Sequence, residues 1–149
     1  SIGVERTREK RDMTGMISQE VSVGEEYTVD VFFDLFHKPI YTVPRKRIRV
    51  INGKSTQGIV VKNKLIENYI IDISKKISFI VPINFQCFVH NNSISFIEVN
   101  PRIAGGMALS FAATENWVNL IVENFIKKNE IKKKDLNTNN YQIDTNNAY

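Results

Sequence analysis

The stretch Phe96-Ile97-Glu98-Val99-Asn100-Pro101-Arg102 carries the residue types best suited to chemistry. On a strand, residues two apart share a face, so Glu98 and Asn100 stand side by side while Ile97 and Val99 turn toward a core. A carboxylate beside an amide oxygen, at a strand end stopped by Pro101, suits a hard cation. Mg2+ takes oxygen ligands and completes its shell from phosphates and water. Arg102 follows directly, and its planar fork is matched to an anion. Gly105-Gly106 then allows close backbone approach. Upstream, Asn84 and Gln86 alternate with Ile83, Phe85, Cys87 and Val89. Hairpin pairing would therefore bring Gln86 beside Glu98 on the polar face. A lone Glu-x-Asn would read as a solvated hairpin face; the continuation into Pro-Arg and Gly-Gly gives it chemical content. Arg45, Lys46 and Arg47 form a second cluster, with Arg45, Arg47 and Arg49 on one face by alternation.

The elements that must position these groups follow from periodicity. Residues 26–33 alternate, with Tyr27, Val29, Val31 and Phe33 on one face and Glu26, Thr28 and Asp30 on the other. A further strand is expected over 39–50, where Pro44 argues for an edge or a bend. Asn52-Gly53 is a hairpin-type turn signal. Residues 64–78 read as a helix capped by Asn63, with Leu65, Ile66, Tyr69, Ile70, Ile73 and Ile77 as its packing stripe. Strands over 82–89 and 93–100 are joined tightly through His90-Asn91-Asn92. After the Gly-Gly break, helices are expected over 107–113 and 115–128, the second striped by Trp117, Leu120, Ile121, Asn124 and Phe125. A short strand over 16–21 and a helix or loop over 5–13 precede all of these. The fold class is α+β: a mostly antiparallel sheet with helices packed on one face.

Composition sets the outer bounds. With 149 residues, 42% hydrophobic and 24% charged, the chain has the length and balance of one folded domain. No apolar run reaches the ~18 residues of a membrane span. The one cysteine, Cys87, excludes an internal disulfide and a multi-cysteine zinc site, and its place on an apolar strand face reads as core. A lone thiol without a signal-peptide pattern points to a reducing, cytoplasmic setting. The net charge of +4 is concentrated near Lys127, Lys128, Lys132, Lys133 and Lys134. That run reads as a solvated helix end and linker, because no RNA- or DNA-binding motif accompanies it. His37 and His90 fall in expected loops without a partner in sequence and read as surface residues.

Taken with their order along the chain, these residues resemble a family. Glu98-Val99-Asn100-Pro101-Arg102 with Gly105-Gly106 is similar to the carboxy-terminal signature of the ATP-grasp superfamily. The passage from Gln19-Glu20-Val21 through Gly24-Glu25-Glu26-Tyr27-Thr28-Val29-Asp30-Val31 resembles its strand–hinge–strand segment. Gln86, standing before the Glu-x-Asn strand, resembles the branch of carbamoyl-phosphate synthase large subunits. The likeness covers residues 1–126 as a partial ATP-grasp domain, leaving 127–149 as a basic, then polar, loosely ordered tail.

The resemblance implies an ATP-dependent ligase that joins a small carboxylate substrate to an amine or related nucleophile through an acyl phosphate. It implies ATP and Mg2+ as cofactors, with Mn2+ as a substitute. By the same likeness Glu20, Val21, Ser22 and Val23 would carry the adenine, and Glu26 the ribose hydroxyls or a nearby cation. Gln86, Glu98 and Asn100 would hold Mg2+, Arg45 or Arg47 would meet phosphate, and Arg102 would hold the transferred phosphate or the substrate carboxylate. The family's upstream strand Lys and Gly-rich loop have no counterpart beyond Ser1-Ile2-Gly3-Val4, and Ala113-Thr114-Glu115-Asn116 departs from the usual Ala-Gly-x-Asn. The chain thus reads as the carboxy-terminal portion of a ligase, weakly active or inactive without an amino-terminal ATP-grasp portion. The alternative is a non-catalytic nucleotide-binding or assembly module that retains the fold. An incomplete domain would also expose an apolar face and self-associate.

Overall fold

A computed structural model describes residues 20–51, 54–138 and 142–144. The segment expected over 5–13 and the Asn52-Gly53 turn lie outside the described residues. Of the strand expected over 16–21, only Glu20 and Val21 are described, and they belong to no strand.

The chain runs β1 (Glu25–Phe33), β2 (Pro39–Ile51), β3 (Lys54–Val60), α1 (Lys64–Ser74), β4 (Val81–His90) and β5 (Ser93–Asn100). A 3-10 turn (Gly105–Met107), α2 (Ala108–Ala113), α3 (Trp117–Ile121), a π turn (Val122–Ile126) and β6 (Gln142–Asp144) follow. The strands form one antiparallel sheet in the order β5-β4-β1-β2-β3-β6. The α+β class and the antiparallel sheet are as the sequence implies. The helices, however, occupy both faces rather than one.

Strand alternation separates two cores. On one face Tyr27, Val29, Val31 and Phe33 of β1 meet Ile83, Phe85 and Cys87 of β4, and Ile66 and Ile70 of α1 cover them. Each such aliphatic or aromatic side chain contributes roughly 1.5–3 kcal/mol by leaving water. On the other face Phe32, Tyr41 and Val43 meet Met107, Leu109, Ala113, Trp117 and Leu120. Trp117 packs edge-on against Phe32, with ring centroids 5.7 Å apart, and its indole Nε1 donates to Thr114.

Local chemistry explains the element ends. Asn63 caps α1 by accepting from the Ile66 amide at 3.2 Å. Asn91 and Asn92 take φ of 45° and 65°, the primed turn that a two-residue hairpin loop requires. Pro44 sits in the interior strand β2, which corrects the edge expectation. Its carbonyl accepts from Val61 on the side where β3 has just ended, so its missing N–H falls where there is no ladder to join. Ile97 and Val99 are nearly half exposed and not core residues. β5 is the edge strand, and a bulge between Gln86 and Cys87 sets Ile97 out of register.

The segment expected as a loose tail makes defined contacts. Ile131 and Leu136 pack on the Trp117 core, the Asn137 amide donates to Ala113, and the Lys134 amide donates to the Tyr41 hydroxyl. Residues Gln142–Asp144 pair with β3. Among the described residues no helix is long and apolar enough to cross a membrane.

Candidate functional site

The face of the sheet that carries the Trp117 core is apolar at one end and polar at the other. Pairing sets the polar end out in rows across β2, β1, β4 and β5. Arg45 lies opposite Thr28, Thr28 opposite Gln86, and Gln86 opposite Glu98. One step along, Asp30 faces Asn84 and Asn84 faces Asn100. One step the other way, Glu26 faces Phe88 and Phe88 faces Ser95. Opposed residues share a face, so all of these side chains converge on one surface.

Three regions follow one another along this surface. Glu20, Val21, Ser22 and Val23 lead into β1 and line a small pocket of about 210 Å3 with Phe88, His90, Ser93 and Ser95. Gly24 makes that approach possible. Its φ is +121°, and a Cβ there would lie 2.3 Å from the Val89 carbonyl oxygen, so no side chain fits. The middle region holds Glu26, Arg47 and Gln86, with Glu98 and Asn100 beside them. Arg47 ion-pairs with Glu26 and donates to Gln86 Oε1 at 3.3 Å; the Asn100 amide donates to Glu98 Oε1 at 2.6 Å. The far region is a groove of about 600 Å3 lined by Thr28, Arg45, Arg47, Asn84, Arg102 and the Gly105–Gly106 turn, with Ser55 and Thr56 on its β3 side. From Phe88 to Asn84 along β4 is four residues, or about 13 Å.

The sequence-assigned residues therefore divide as follows. Gln86, Glu98, Asn100, Arg102, Arg45, Arg47 and Glu26 are brought to one surface, and Glu20 to Val23 flank it. Glu98 is exposed, with its oxygens beside the Asn100 amide, and this donor set suits a hard cation. Gln86 presents its carbonyl oxygen to Arg47 instead. Among the described residues no cluster of three His, Cys, Asp or Glu side chains could hold a metal, so Mg2+ here would depend on phosphate and water oxygens as well. Arg49 leaves the arginine row. A register shift after Arg47 sets it opposite Gln57, whereas Arg47 is opposite the adjacent Gly58.

Beneath the groove lies a network that sequence reasoning missed. Asp30 is fully buried and accepts from Arg45 Nε at 2.7 Å, Arg45 Nη2 at 3.2 Å, Asn84 Nδ2 at 2.6 Å and Ser110 Oγ at 2.5 Å. The signal was present: Asp30 is the one charge in the otherwise uncharged run from Tyr27 to Phe33. Cys87 lies on the opposite, α1 face, where burial pushes its thiol pKa up to about 12, far from a reactive thiolate.

Comparisons with known proteins decide the family. A family model described as ATP-grasp in the biosynthetic pathway with Ter operon matches residues 12–148. The chain belongs to this ATP-grasp family. The description does not name the carbamoyl-phosphate synthase branch. No curated protein sequence matched the chain. The fold is similar to that of the biotin carboxylase domain of a thermophilic 2-oxoglutarate carboxylase bound to bicarbonate, at 14% identity and TM-score 0.63. That match covers 77% of this chain and 28% of the other. An N5-carboxyaminoimidazole ribonucleotide synthetase in complex with ADP matches at 15% identity and TM-score 0.58, over 79% of this chain and 33% of that one. The Staphylococcus aureus N5-carboxyaminoimidazole synthetase complexed with ADP matches at 15% identity and TM-score 0.62, over 79% and 34%. The chain thus spans about a third or less of the length of these solved structures.

Proposed function

We propose that this chain supplies the carboxy-terminal wall of the nucleotide site in an ATP-grasp ligase that activates a carboxylate as an acyl phosphate. The observation that supports this reading is the single-file arrangement on one sheet surface: hinge pocket, then Gln86 and Glu98, then the arginine groove. Adenine would sit against Glu20 to Val23, and Glu26 would take the ribose. Glu98 and Asn100, with Gln86 once Arg47 turns to phosphate, would hold Mg2+. The cation would supply neutralisation of charge on the transferred phosphoryl group. Arg47 and Arg102 would orient phosphate and the carboxylate substrate with forked donors, which stabilises charge as it develops. The nucleophile and the rest of the cradle would come from an amino-terminal ATP-grasp portion, so turnover by these 149 residues alone is expected to be weak.

Isothermal titration with Mg-ATP tests the reading. Saturable binding by the wild-type chain, lost in Glu98→Ala while the circular dichroism spectrum is unchanged, is expected. Absence of heat at millimolar nucleotide overturns it. Binding without turnover, even after the amino-terminal portion is supplied, would instead favour a nucleotide-binding module.

A further inference from the structure

Asp30 does not itself line the groove, but three of its four hydrogen bonds come from Arg45 and Asn84, which do. Asp30 has no exposed surface, and Arg45 and Asn84 are 4% and 3% exposed. The Asp30 carboxylate takes both Nε and Nη2 of Arg45, which fixes the plane of the guanidinium. Gly106 lies beside that guanidinium. A Cβ built on Gly106 would fall 2.5 Å from Arg45 Nη1, 3.2 Å from Cζ and 3.4 Å from Nη2. A side chain at Gly106 would therefore require the Arg45 guanidinium to shift, and its two bonds to Asp30 resist that shift. Ser110 of α2, the helix that begins right after this turn, donates to Oδ2, the oxygen that also accepts from Arg45 Nε. β1, β2, β4 and α2 are thus tied to one buried anion, and the turn whose rim carries Arg102 is caught between them.

We propose that Asp30 is a positioning residue: by locking Arg45 beside Gly106 it sets the height and angle of the groove's Arg102–Gly106 rim. The inference rests on the nucleotide-site reading only for what the rim would bind. The rim's immobilisation is a property of the chain alone.

Asp30→Asn keeps the shape of the side chain but replaces one acceptor oxygen with a donor, so the Arg45 fork and the Ser110 bond cannot both persist. Amide hydrogen exchange by NMR, at a temperature where variant and wild type are both folded, reads the rim without any ligand. The expected result is at least tenfold faster exchange at Gly106 and Met107 in Asp30→Asn, with the amides of Ile66 and Ile70 on the opposite face unchanged. The slowly exchanging Arg45 Nε–H signal should be lost as well. Ser110→Ala, which removes one of the four donors and leaves the fork intact, should accelerate the same two amides several-fold and covers the case in which Asp30→Asn does not fold. Titration of the same variants with Mg-ATP should show at least tenfold weaker binding for Asp30→Asn. Unchanged Gly106 exchange in both variants, or acceleration spread evenly over both faces, overturns the proposal and leaves the network a stability device. Wild type that fails to bind Mg-ATP counts against the nucleotide-site reading, while the exchange data still decide the rim.

Discussion

On the α1 face, β1 presents Tyr27, Val29, Val31 and Phe33, and the helix stripe of Ile66 and Ile70 closes over them. On the opposite face the same strand presents Glu26, Thr28, Asp30 and Phe32. There the covering helices are short, six residues in α2 and five in α3, and they seal only the Phe32 end. The rest is left to ion pairs and a groove. One strand thus supplies a dry face that can be packed for stability alone and a divided face whose polar half is kept open. The difference teaches that the candidate site is the part of the sheet that the helices leave open, and that Asp30 marks the boundary.

If that division holds, core truncations on the two faces should cost similar amounts. Trp117→Ala should lower unfolding free energy by about 3–5 kcal/mol and Ile70→Ala by about 2–5 kcal/mol in urea titrations. A loss well under 2 kcal/mol for Trp117→Ala would mean that the groove face has no core of its own. Each face also has one capping asparagine: Asn63 on α1 and Asn116 on α3, which accepts from Val118 at 2.9 Å. Each Asn→Ala change should cost about 1 kcal/mol. A larger loss at Asn63 than at Asn116 would rank the longer helix as the stronger dependent.

Alkaline titration supplies the finest comparison, because among the described residues each face buries one phenol. Burial, followed by the bond to Glu25, raises Tyr27 to about 12; burial, followed by the bond to Glu115, raises Tyr41 to about 12. A phenol whose folded pKa exceeds its unfolded value holds its proton more tightly when folded. Its contribution is therefore complete below pH 10 and is lost as pH rises from 10 to 12. Thermal midpoints should begin to fall near pH 9, where the buried Cys87 thiol resists ionisation, and fall more steeply above pH 10 as the two phenols join it. Tyr27→Phe and Tyr41→Phe should each remove part of that fall, and equal parts would show the two faces equally closed.

Much of this arrangement was legible in the residues. The alternation of 26–33, the Asn63 cap and the Gln86–Glu98 pairing were readable because each rests on local periodicity or a strong turn signal. β3 escaped because Lys-Ser-Thr-Gln-Gly-Ile-Val has no alternation, and only its pairing with β2 makes it a strand. The helix expected over 115–128 divides into α3 and a π turn. There Asn124 is buried, accepting from the Leu35 amide and donating to the Asn129 carbonyl, a long-range demand that no stripe reveals. Of the site, the metal and anion candidates were visible by type and spacing. Asp30 was placed on the correct face, but its partners come from three distant segments and could not be read from its neighbours.

The pairing of β6 with β3 has a consequence for how the molecule is made. Gln57, Gly58 and Ile59 wait for Asp144, Ile143 and Gln142, so during synthesis β3 is an open edge until residue 144 has cleared the ribosome. Closing so long a loop is slow. The nascent chain would carry its half-built sheet, hydrogen-bonding groups bare along one margin, from the synthesis of Val60 until that of Asp144.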